Sequence, residues 1–180
     1  MKDLRLVVPE FDYKRKYGLS LAGLVDLLVK AGYILNSVKS IKDIQVQFKS
    51  VGKQDINDSK INILLDELAS KCIYSTIVTE KSRRSNLDII IDLYYGLNGS
   101  DAEYISRIIL KQFTVDPLYR LHQVHPCALV IYRNQRDLET LSSSLLEIDK
   151  KFSREELKDK SKRIQVYKEY GKPKVVSIWH

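Results

Sequence analysis

Apolar and polar positions change their spacing several times along these 180 residues. Leu4 to Val8 is apolar at four of five positions and is closed by Pro9, which predicts a first strand. A polar and aromatic connector, FDYKRKYG, leads into LSLAGLVDLLVKAG. There Leu21, Leu24, Val25, Leu28 and Ala31 recur at helical spacing, and Gly32 is the expected stop. IKDIQVQFKSV alternates instead: Ile44, Val46 and Phe48 point one way, Gln45, Gln47 and Lys49 the other, the mark of a half-buried strand. A second helix is expected to begin within 55–59 and to bury Ile61, Leu64, Leu65 and Leu68.

CIYSTIVT and LDIIIDLYY, rich in β-branched and aromatic residues, read as two further strands joined by the polar EKSRRSN. Ser100 and Glu103 fit a capping box for a helix that buries Ala102, Ile105, Ile108 and Ile109. The short segment PLYRLHQV leads to a strand at CALVIY. Helices follow at about 135–149 and 153–170, the latter opened by Ser153 with Glu156 and ended by Gly171 and Pro173. KVVSIW (174–179) reads as a closing strand. The order β-α-β-α-β-β-α-(α)-β-α-α-β predicts an α/β or α+β fold, a mixed and mainly alternating sheet covered by helices, in a single domain over 1–180.

Composition suits a packed globular domain, with 44% hydrophobic and 29% charged residues. The longest apolar runs fall well short of the roughly 20 residues of a membrane span, and residues 1–20 lack the apolar core of a signal peptide. Cys72 and Cys127 each adjoin a strand-like run and read as buried thiols of a reducing compartment, so the cytoplasm is expected.

Charge changes the picture most. The net charge is +7, and residues 150–174 alone hold ten Lys or Arg against four Asp or Glu. The body, 1–149, is almost neutral, with 20 basic and 19 acidic groups. Such asymmetry points to a polyanionic partner. On the basic helix Arg154, Lys158 and Lys162 would share one face, flanked by Lys151 and Arg163. Tyr167 and Tyr170 could stack on bases. Arg83 and Arg84, in the connector at 81–85, form a second basic site.

Other constellations are weaker. Asp88 and Asp92 on one strand face would lie roughly 13 Å apart, too far to share a metal ion without further carboxylates. His122, His125 and Cys127 are zinc-ligand types without a fourth partner. Gly96 and Gly99 precede a helix but match neither dinucleotide nor phosphate-loop patterns, so no cofactor is expected. The reading is a non-enzymatic nucleic-acid-binding subunit, RNA somewhat favoured over DNA because no duplex-reading motif is visible. Contacts to phosphates would come from Arg83, Arg84, Arg154, Lys158, Lys162 and Arg163. Two alternatives stand beside it, an interaction subunit of a larger assembly and a metal-dependent nuclease. No membrane partner is expected.

Overall fold

In a computed structural model, residues 3–36, 38–52, 57–79 and 83–172 are described. Among them there is no strand. Ten α-helices follow one another: α1 (Leu4–Val7), α2 (Leu21–Lys30), α3 (Ile41–Gln47), α4 (Asp58–Ser70), α5 (Asn86–Tyr94), α6 (Gly99–Leu110), α7 (Pro117–Val124), α8 (Ala128–Gln135), α9 (Leu138–Lys151) and α10 (Lys160–Tyr170). The expected α/β sheet is therefore replaced by an all-helical architecture, and the closing strand at 174–179 lies outside the described residues.

Each overturned strand has a local reason. In α3, Ser40 Oγ accepts from Asp43 N while Asp43 Oδ2 accepts from Ser40 N, a complete capping box. Ile41 and Ile44 then bury one helical face, and Val46, inward in the alternating reading, is 79% exposed. Ser85 and Asp88 cap α5 in the same way, so LDIIIDLYY buries Ile89, Ile90, Leu93 and Tyr94 at helical rather than alternate spacing. At CALVIY, the His125–Pro126 turn starts α8, which buries Ala128 and Ile131. Residues 4–7 form one helical turn because the Asp3 side chain accepts from Arg5 N. CIYSTIVT stays irregular beyond Cys72. Lys14 O accepts from Thr76 N and Ser75 Oγ, but no ladder forms, and Ile73 and Val78 stay exposed. High β-propensity without a pairing partner does not make a strand.

The chain divides into two compact units, a central one (Tyr13–Phe113) and a terminal one (Met1–Asp12 with Thr114–His180). In the central unit α3 packs on α6, and α5 on α2 and α4. Gly99 permits the first of these approaches, since a Cβ there would stand 2.4 Å from Gln45 O. Tyr33 stacks on Phe48 with centroids 5.3 Å apart, and buried Tyr94 tilts against both. Ser106 Oγ donates to Ala102 O at 2.7 Å, which leaves it the acceptor for Tyr94 Oη at 2.9 Å.

Arg15, the middle of the Lys14–Lys16 basic run, is 1% exposed. Its Nε and Nη2 donate to Asp66 Oδ1 at 2.9 and 2.7 Å, and Nη2 also reaches Asn62 Oδ1 at 3.0 Å. That arginine fastens the entering chain to α4.

The terminal unit is built around Leu121, Cys127, Ala128, Ile131, Leu141, Leu145, Ile148, Leu157 and Val166. Helices α8 and α9 pack together, and α1 lies against α7 and α9. Arg5 pairs with Asp12 at 2.9 Å, and Arg120 holds both Glu10 and Val7 O.

Candidate nucleic-acid interface

The basic segment does not form one helix. Ser153 and Glu156 make the expected capping bonds, Ser153 N to Glu156 Oε2 at 2.7 Å and Glu156 N to Ser153 Oγ at 3.2 Å. What they open is a single 3-10 turn, Glu156–Lys158. Asp159 is extended (φ −71°, ψ 128°), and its side chain caps α10 by accepting from Ser161 N at 2.9 Å. The break separates Arg154 and Lys158 from Lys162, so the three do not form an i, i+4, i+8 row.

Several of these cations already have partners. Arg154 donates to Asp149 Oδ2 and to Val124 O, both at 2.9 Å. Lys158 pairs with Glu155 at 2.7 Å and Lys151 with Glu169 at 2.5 Å. Lys162 and Arg163 are half-buried. Tyr167 and Tyr170 pack against the core of the terminal unit, and Gln135 Nε2 donates to Tyr170 O at 2.9 Å. Val166 is fully buried, which turns Lys160, Ile164 and Lys168 outward as one i, i+4, i+8 row. Neither Lys160 nor Lys168 has an acidic partner among the described residues. These two were legible only once the helix start was known to be residue 160.

In the central unit Arg83 is exposed, whereas Arg84 is held by Asp92 at 2.5 Å, by Asp88 O at 3.0 Å and, more loosely, by Glu67. The rest of that connector, 80–82, lies outside the described residues. Asp88 is occupied with the Ser85 hydroxyl and amide, which hold its carboxyl below the usual range. With Asp92 on Arg84, the pair suggested for metal chemistry serves helix α5, and no group of metal-ligand residues comes together among the described residues.

His122 is exposed, while His125 and Cys127 are buried. His125 Nδ1 accepts from Cys127 N at 3.0 Å, and Nε2 faces Asp149 Oδ1 at 3.3 Å without the alignment of a hydrogen bond. Burial, helped by the charge of Arg154 and opposed by Asp149, pulls the imidazole down to about 4. Burial also pushes the Cys127 thiol up, away from reactive thiolate. Cys72 is free and half-buried. At the start of α6 the cap is Asn98, accepting from Asp101 N at 2.9 Å, two residues before the expected Ser100. No helix among the described residues is long and apolar enough to cross a membrane.

Fold and surface thus define a helical, basic chain whose titratable residues largely serve structure and whose unpaired lysines suit a polyanion. A protein-family model, DNA ligase N terminus, matches residues 2–116, well over half of the chain, including the whole central unit. The chain belongs to that DNA ligase N-terminal family. No curated protein and no solved structure matches it. Family membership supports nucleic-acid binding and overturns the reading of a non-enzymatic, RNA-favouring subunit, because the matched family is a region of DNA ligases.

Proposed function

We propose that this chain grips DNA as part of a ligase, holding the duplex by its phosphates while strands are joined elsewhere. The observation that carries the reading is the DNA ligase N-terminal match over residues 2–116. The net charge of +7 and the outward row of Lys160 and Lys168, with Lys162 beside it, support it physically. Lysines unpaired within the fold gain most from phosphates, because no internal ion pair is given up and condensed counterions are released.

The test is fluorescence anisotropy of labelled nicked duplex DNA, intact duplex DNA and duplex RNA across a salt series. Binding of DNA should weaken steeply with salt, and K160A/K168A should lower the log–log slope by about 2. Equal affinity for duplex RNA, or an unchanged slope in the variant, would count against the reading.

A further inference from the structure

We propose that the terminal unit carries a second ligand site, for an unpaired nucleotide, in the groove between Phe11, the start of α7 and the end of α8. The inference rests on the DNA reading for its biological setting, but its evidence is separate. The groove has a volume of about 670 Å³, within the usual range of roughly 300–1,000 Å³ for small-ligand sites.

One wall is aromatic. Phe11 and Tyr132 stack with centroids 4.5 Å apart and planes 16° from parallel, and both rings are only half-buried. Pro117 and Leu118 supply a second apolar surface. Such walls suit the flat face of a base.

The rim is cationic. Arg133 and Arg136 line the groove, both are exposed, and neither guanidinium holds a carboxylate among the described residues. Other arginines of the same unit are committed: Arg5 to Asp12, Arg120 to Glu10 and Arg154 to Asp149. Arg136 ends α8 in the left-handed region (φ 50°, ψ 27°), its N–H bonded to Tyr132 O at 2.7 Å. Both side chains line the one groove, so the pair can bracket one phosphate there. The groove's carboxylate, Asp116, is engaged with its own helix, Oδ1 accepting from Leu118 N at 2.8 Å and Tyr119 N at 3.2 Å.

An aromatic wall beside a guanidinium pair matches a planar base one sugar away from its phosphate. A base inside a duplex is stacked and paired and cannot enter, so the site selects a single-stranded end or overhang, or a free nucleotide of the same chemistry.

The experiment uses the full chain, with anisotropy of a labelled oligothymidylate of about eight residues, a blunt duplex, and thymidine monophosphate as competitor. The variants are R133A/R136G, whose glycine keeps the left-handed backbone, and Y132L. Circular dichroism confirms that each folds. Both variants should lose about tenfold in oligothymidylate affinity, with blunt-duplex binding unchanged. Competition by the monophosphate at concentrations similar to the oligonucleotide would assign the groove to free nucleotides, weak competition to strand ends. Undiminished oligothymidylate binding in both variants would overturn the proposal, as would equal binding of an aspartate-rich peptide. Failure of the DNA-holding reading would look different: blunt-duplex binding would be absent in the unsubstituted chain while the oligothymidylate signal remained.

Discussion

His125 makes the stability of the terminal unit depend on pH over a defined window. Its imidazole is fully buried, with Nδ1 accepting from Cys127 N at 3.0 Å, so a proton can be added at Nδ1 only by giving up that bond. Asp149 faces Nε2, but Arg154 occupies the other oxygen of the same carboxylate and adds a positive charge nearby. Burial, the leading cause, lowers the group from 6.5 to about 4. As pH falls below 6.5 the unfolded chain takes up the proton and the folded chain does not. Stability is therefore full above about 6.5, declines down to about 4 and levels off below. At about 1.4 kcal/mol for each pH unit of that gap, the full loss is about 3.5 kcal/mol, of which about 3 kcal/mol is reached by pH 4. The assay is urea unfolding followed by circular dichroism between about pH 7.5 and 4, for the unsubstituted chain and H125N. Asparagine keeps an acceptor for Cys127 N and does not titrate. H125N should be the less stable protein at neutral pH, by about 1–3 kcal/mol, and the gap should close or invert by about 3 kcal/mol at pH 4. Two curves that stay parallel through the window would refute the reasoning.

Arg15→Ala should cost the central unit about 3 kcal/mol in urea unfolding, because Asp66 and Asn62 lose a buried donor; D66A/R15A should recover part of that loss. Gly99→Ala should destabilise by about 1–3 kcal/mol, since the new Cβ meets the backbone Gln45 O where α3 and α6 approach, a contact no side-chain rotation relieves; thermal unfolding measures it. Arg154→Ala should cost about 1 kcal/mol or less, its pair with Asp149 being half-exposed, and should leave the salt slope of DNA binding unaltered, unlike K160A/K168A.

How much could be read before folding depended on segment length and phase. In α2 and α4 the apolar residues repeat over about three turns, and their helices lie where periodicity puts them. Helices α3, α5 and α8 are only seven to nine residues long, short enough for their apolar positions to be buried by a strand or a helix. Ser40–Asp43 and Ser85–Asp88 were the local signals that could have decided for helix, because a cap satisfies amides that a strand would leave to a neighbour. The basic segment shows the same limit in the site: Ser153 and Glu156 bond as their spacing suggests, yet Leu157 turns into the core and Asp159 restarts the helix.

The sequence by itself determined the charge asymmetry, the polyanionic class of partner, and those helices long enough to show their period. These are sums and local repeats, independent of what packs where. Tertiary structure alone decided which cations remain available. Arg15, Arg84 and Arg154 look like Lys160 or Arg133 along the chain, but folding brings the first three to carboxylates 51, 8 and 5 positions away in sequence, and it does not do so for the others. Ion pairing depends on distances of a few ångströms between residues that only packing brings together.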